Sequence, residues 1–103
     1  MRVLQHNDHG YVGFDPSSAC YEVAFHTSLL RLDDAGMRSF GCALEERLSQ
    51  HHDRVCRRAK LFILDNGDPS IRIALRFSEM ETLYDMIEEA MITRAVDEIM
   101  DGA

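Results

Sequence analysis

The sequence lacks the features that mark membrane proteins and secreted proteins. No apolar run approaches the roughly 18 residues that a helix needs to cross a bilayer. The opening stretch, MRVLQHNDHG, has no apolar core of the kind found in a signal peptide. The three cysteines, Cys20, Cys42 and Cys56, form no CxxC pair, and their odd number does not suit a disulfide scaffold. These absences predict a cytoplasmic protein with reduced thiols and no membrane association.

The sequence also lacks the short motifs of common enzyme classes. It contains no GxSxG, no P-loop and no GxGxxG. No local pattern places a cysteine or serine beside a histidine that could activate it as a nucleophile. Neighbouring carboxylates, such as Glu88 and Glu89, fall on predicted polar helix faces, where water solvates them. Because no catalytic constellation is present, a non-enzymatic protein is the favoured interpretation.

Basic residues are almost absent from the C-terminal segment. Residues 79–103 contain eight acidic residues and one basic residue, Arg94, whereas residues 1–78 contain ten of each. The whole formal net charge of −7 therefore lies in this segment. A negative field of this kind opposes binding to nucleic acid and to anionic membranes.

What the sequence does contain is the patterning of a single α+β domain that spans residues 1–103. Alternating or apolar runs bounded by turn signals such as NDHG and DPSS predict strands in the first third of the chain. Asp33 or Asp34 is then expected to cap a helix that runs to about Gln50. The four predicted strands lie at residues 2–5, 11–14, 21–25 and 29–32.

The second half repeats the order of hairpin and helix. LFIL at 61–64 and the alternating residues 71–77 flank DNGDPS, the strongest turn signal in the chain. Ser78 and Glu81 match an S-x-x-E capping box and predict the start of a long final helix. Clean alternation in the strands favours an antiparallel sheet with one face in water. The predicted fold is a two-layer α+β domain with both helices packed on the other face.

The connector HHDRVCRRAK, at residues 51–60, combines possible metal ligands with basic side chains. One hypothesis is a site for zinc or another transition metal, helped by His6, His9 or His26. A second is a patch that binds anions or nucleic acid. A third is a solvated connector whose charges balance the acidic helix. The metal hypothesis uses His51, His52 and Cys56, and the anion hypothesis uses Arg54, Arg57, Arg58 and Lys60.

The end of the final helix carries apolar residues beyond Ile92 that continue at helical spacing. A helix of this length exceeds what a small sheet needs to cover it, so its end is expected to meet a partner chain. The predicted interaction residues are Ala95, Val96, Ile99 and Met100. The expected partner is a second copy of the chain, which gives a homodimer.

Several segments together resemble a known protein family: YEVAF at 21–25, LLRL at 29–32, Phe40 and Leu44, KLFIL at 60–64, and IRIALRFSEMETLYDMIEEA at 71–90. On these segments the chain resembles a family of small bacterial proteins of unknown function, found chiefly in Bacteroidota. Many members carry a CxxC before the YEVAF-like strand. Here that stretch is Asp15-Pro16-Ser17-Ser18, with Cys20 further on. The resemblance implies the fold and a cytosolic bacterial setting, but no activity.

These observations rank three hypotheses of function. The first is a non-enzymatic interaction protein, an adaptor or chaperone-like homodimer. The second is a protein that binds a metal or a small ligand through a His/Cys cluster. The third is binding of nucleic acid through the arginine-rich connector, which the net charge disfavours.

Overall fold

The computed structural model describes residues 1–51, 62–65 and 72–102. In this part of the chain four strands precede the first helix, and a hairpin separates the two helices, which confirms the predicted order. In chain order the elements are β1 (Arg2–Asn7), β2 (Gly10–Asp15), β3 (Cys20–Phe25), β4 (Ser28–Leu32), α1 (Asp34–His51), β5 (Phe62–Asp65), β6 (Arg72–Leu75) and α2 (Phe77–Gly102).

The strands β1 to β4 form one antiparallel sheet in chain order. Successive side chains on a strand point to opposite faces, so the alternating sequence divides the sheet into a buried face and an outer face. Tyr21, Val23 and Phe25 on β3 are buried, as the alternation predicts. On β4, Leu30 and Leu32 point to the same buried face and are only 8% and 4% exposed.

The turn between β1 and β2 and the first residue of β2 depend on particular side chains or on their absence. The Asn7 side chain accepts a hydrogen bond of 2.8 Å from the backbone N–H of His9, which closes the turn between β1 and β2. Gly10 follows at a point where β2 and β3 approach closely. A Cβ atom added to Gly10 would lie 1.8 Å from the carbonyl oxygen of Ala24. Only glycine therefore fits at this position without a shift of the backbone.

The helix α1 begins after an aspartate cap. The Asp33 carboxylate accepts a hydrogen bond of 2.7 Å from the backbone N–H of Gly36, and the Asp33 carbonyl oxygen accepts the first helical bond from Met37. These two bonds make Asp33 the N-cap, one of the two predicted residues. Met37, Phe40 and Leu44 then face the core at spacings of three and four.

The helix α2 begins earlier than its capping-box motif predicts. Phe77 is its first residue, so Ser78 lies inside the helix and cannot be the N-cap. The residue before the helix is Arg76, whose backbone N–H donates a hydrogen bond of 2.8 Å to the Glu79 carboxylate. The predicted Ser78–Glu81 box is therefore wrong. Glu79 makes the bond expected of the box glutamate, two residues earlier in the chain.

Both helices pack on the buried face of the sheet, α2 over β1 and β2 and α1 over β3 and β4. Leu48 and Tyr84 line one cavity while Met37 and Met91 line another, so the two helices run antiparallel. The two-layer α+β fold is thus confirmed. The hairpin of β5 and β6 is a separate two-stranded sheet. In the part of the chain that the structure describes, no helix is long and apolar enough to span a membrane.

Candidate interaction surface

The C-terminal half of α2 exposes a row of apolar side chains to solvent. Residues on one helix face recur at spacings of three and four, and the members of the row follow that rule. The large side chains are well exposed: Ile92 by 62%, Val96 by 51%, and both Ile99 and Met100 by 72%. Ala95 is also exposed. We call this row, Ile92, Ala95, Val96, Ile99 and Met100, the apolar stripe.

The same face of α2 is acidic in its N-terminal half. Positions 81, 85 and 88 lead into positions 92, 96 and 99 with the spacing of a single helix face. The first three are Glu81, Asp85 and Glu88, and all three are exposed. The outward face therefore changes from carboxylates to aliphatic side chains near residue 90.

The inward face of α2 changes from apolar side chains in its N-terminal half to polar side chains in its C-terminal half. Its N-terminal half buries apolar side chains such as Leu83 and Ala90 in the core. Its C-terminal half instead turns Arg94 and Asp97 towards the sheet. The Arg94 guanidinium lies 3.9 Å from the centre of the Phe14 ring, and the Asp97 carboxylate forms an ion pair with Arg2. The last turns of α2 are thus polar inside and apolar outside, the reverse of an ordinary surface helix.

A histidine pair lies at the other end of the sheet. The turn between β1 and β2 and the turn between β3 and β4 meet there, through a backbone hydrogen bond of 2.8 Å from His26 to His9. His9 Nδ1 lies 3.3 Å from His26 Nε2, and the same His26 nitrogen lies 3.5 Å from the Glu79 carboxylate. His26 has a φ of 53° and lies in the turn between β3 and β4.

The histidine pair does not amount to a metal centre. Within residues 1–51, 62–65 and 72–102, no group of three or more histidine, cysteine or acidic side chains could hold a metal ion. His6 lies on β1, opposite Tyr11, and is exposed. Cys42 is exposed on α1, and Cys20 is half-buried on β3. Among the described residues, His9, His26 and Glu79 serve to join the two turns to the start of α2.

The structure describes only some of the predicted site residues. The predicted interaction residues Ala95, Val96, Ile99 and Met100 do share one exposed helix face. The metal and anion hypotheses stay predictions, because most of their residues lie outside the described part of the chain. His51 is the last residue of α1, and its side chain is not described. The residues outside are His52, Arg54, Cys56, Arg57, Arg58 and Lys60.

Sequence reasoning missed two parts of this surface. Ile92 belongs to the stripe, and its position four residues before Val96 was a signal that could have included it. The ion pair between Arg2 and Asp97 joins residues that are 95 positions apart, and no local pattern could have indicated it. That contact places Asp97 against Arg2 of β1, on the side of α2 that faces the sheet.

No protein-family model, curated protein or solved structure matches this chain. The resemblance to a bacterial family therefore stays a prediction. The candidate surface is interpreted from its own geometry.

Proposed function

We propose that this protein is a non-enzymatic interaction protein of the bacterial cytoplasm, an adaptor or chaperone-like protein that acts as a homodimer. One observation carries the proposal: the reversed polarity of the last turns of α2. A monomer holds Arg94 and Asp97 against the sheet and leaves four large apolar side chains in water, where they gain nothing from the hydrophobic effect. A second chain that covers the apolar stripe accounts for this arrangement.

The charge distribution favours a second copy of the chain, packed in the antiparallel sense. Parallel packing of two α2 helices would set the acidic N-terminal halves against each other, and like charges at close range repel. Antiparallel packing centred near Val96 sets apolar stripe against apolar stripe. It also sends the Asp85 and Glu88 regions of the two chains in opposite directions. The same patch then serves both protomers, as a twofold interface requires.

The size of the stripe predicts a dimer of modest affinity. Burying one large aliphatic side chain contributes about 1.5–3 kcal/mol, so eight partly exposed side chains from two protomers contribute on the order of 10 kcal/mol. The loss of translational and rotational freedom on association costs roughly 4–15 kcal/mol. The gain from burial falls within the range of this cost. We therefore expect a dimer that dissociates on dilution and not an obligate dimer.

Sedimentation velocity of the purified protein over a range of concentrations tests the proposal. We expect wild-type protein to shift from monomer to dimer as concentration rises, and the Ile99→Glu variant to remain monomeric. Leu29→Glu is the matched control, because Leu29 is an apolar residue on the sheet that is also 62% exposed. A wild-type protein that stays monomeric at the highest concentration would contradict the proposal, as would an Ile99→Glu variant that dimerises like the wild type.

A further inference from the structure

A groove runs along the seam between α1 and α2, separate from the apolar stripe. A cavity of about 530 Å³ shares Leu48 and Tyr84 with a second cavity of about 230 Å³ and shares Glu45 with a third of about 340 Å³, so the three adjoin along one groove. Between Met37 and Leu48 the groove follows α1 for about 16 Å, the length of a three-turn helix. Its floor is formed by Met37, Gly41, Leu48, Tyr84, Ile87 and Met91.

The rim of this groove is acidic. Glu45, Asp85 and Glu88 are exposed along it, and none of them forms an ion pair with the described part of the chain. Among the described residues that line the groove, the basic one is Arg38, whose guanidinium lies 3.1 Å from the Asp34 carboxylate. Burial and the charges of Glu88 and Glu45 raise the pKa of Tyr84 on the floor. The groove thus has an apolar floor within a negative field.

We infer that this groove binds a basic amphipathic helix of a partner protein. The apolar side of such a helix would rest on the floor, and its lysine or arginine side chains would reach the carboxylates of the rim. Met37 and Met91 suit this use, because methionine side chains adapt to different apolar surfaces. Gly41 deepens the floor at its middle, since it has no side chain.

A second copy of this chain is a poor occupant of the groove. Each copy carries a net charge of −7, and the exposed face of α2 beside the groove is acidic until residue 90. Placing that face on an acidic rim would bring like charges together. Charge complementarity therefore selects a basic partner. The dimer contact and the partner site are then different surfaces of one molecule.

Binding of a synthetic peptide tests the inference. The probe is a fluorescein-labelled peptide of about 15 residues, with leucine at helical spacing and lysine elsewhere, which spans the groove when helical. Its affinity is measured by fluorescence anisotropy. We expect Gly41→Leu to weaken binding at least about tenfold, because the new side chain fills the floor. The fold should tolerate this change, since a Cβ at Gly41 meets nothing closer than Ile87 Cγ2 at 3.8 Å. Leucine also has a higher helix propensity than glycine.

Two matched controls separate specific binding from general attraction. Ser39→Leu adds the same side chain to an exposed position of α1 outside the three cavities, and it should leave the affinity unchanged. Glu45→Gln with Glu88→Gln should weaken binding and reduce its salt dependence. Glu46→Gln with Asp101→Asn removes two charges elsewhere and should change the affinity little.

Two outcomes would overturn the inference. In one, Gly41→Leu binds the peptide as the wild type does. In the other, both double charge variants weaken binding equally, which would mean that net charge alone attracts the peptide. The Ile99→Glu variant should bind the peptide normally, because Ile99 lies outside the groove. A wrong inference about peptide binding in the groove can therefore be distinguished from a wrong proposal about the dimer.

Discussion

At the scale of single residues, the turn between β2 and β3 depends on one aspartate. Asp15 ends β2, and its carboxylate accepts hydrogen bonds from the Ser17 hydroxyl at 2.7 Å and from the Ser17 backbone N–H at 3.0 Å. These bonds favour the charged form, and they lower the Asp15 pKa from 3.8 to about 2. The carboxylate thereby links this turn to the acid stability of the protein.

The lowered pKa of Asp15 predicts a pH dependence of definite sign. The folded state holds the Asp15 proton less tightly than the unfolded state, so the stabilisation is complete above pH 3.8 and is lost as pH falls towards 2. Asp15→Asn removes this titration. We expect the free energy of unfolding of the variant to fall less steeply between pH 4 and 2 than that of the wild type, as measured by urea unfolding followed by circular dichroism.

Ser17→Ala serves as the companion variant for this prediction. It removes the hydroxyl that contributes most to the lowered pKa of Asp15, and its acid profile should change in the same direction as that of Asp15→Asn. Parallel profiles for the wild type and Asp15→Asn would show that Asp15 does not contribute to acid unfolding. The prediction would then be wrong.

Residue-scale details of this kind were only partly visible in the sequence. Asp33 was recognisable as a cap because aspartate ahead of an apolar stripe is a strong local signal. The pairing of His9 with His26 was not recognisable, because it joins two turns that only the finished sheet brings together. Local chemistry could be predicted wherever its partners are close in sequence.

At the scale of elements, the start of α2 shows tertiary packing outweighing a local motif. Ser78 and Glu81 match a capping box, yet the helix begins at Phe77, whose side chain is only 3% exposed. Burial of Phe77 in the core favours the earlier start. The Glu79 carboxylate then accepts the Arg76 N–H and lies near the positive end of the helix.

Substitutions at Ser78 and Glu79 test this start directly. Glu79→Ala removes an acceptor for a helix-start N–H, and we expect it to lower the free energy of unfolding by roughly 1–2 kcal/mol. Ser78→Ala should be neutral or slightly stabilising, because Ser78 is inside the helix and alanine is the better helix former. Urea unfolding followed by circular dichroism at the helix signal measures both. If Ser78→Ala were instead the more destabilising variant, the predicted Ser78–Glu81 capping box would be the better description of the helix start.

The elements themselves were largely predictable, but their association was not. Period-two alternation indicated β3 and β4, and spacings of three and four indicated both helices, because these periods follow from backbone geometry. Alternation does not specify which edges pair. The β5–β6 hairpin therefore carries the signals of an ordinary sheet hairpin, although it stands apart from the four-stranded sheet. The exposed stripe was predictable from spacing, whereas the polar inward face behind it was not.

At the scale of the whole molecule, α2 presents three different surfaces along its length. Its inward face closes the core, and its acidic half borders the groove beside α1. Its last turns present the apolar stripe. The acidic side chains that the sequence concentrates in its C-terminal segment thus border the groove, whereas the apolar stripe lies further along the same helix. This arrangement keeps the apolar stripe, which we propose to be the dimer contact, apart from the groove that we infer to bind a basic partner.

The proposed antiparallel dimer predicts a specific pattern of cross-links. With the contact centred near Val96, the two copies of residue 96 face each other, whereas the two copies of residue 100 lie about 12 Å apart along the helix axes. We expect Val96→Cys to form a disulfide-linked dimer under mild oxidation and Met100→Cys to do so poorly. Leu29→Cys, in the same background of natural cysteines, controls for random collision. Equal cross-linking of Val96→Cys and Met100→Cys would indicate parallel helices. Cross-linking of Val96→Cys no greater than that of Leu29→Cys would place the contact elsewhere.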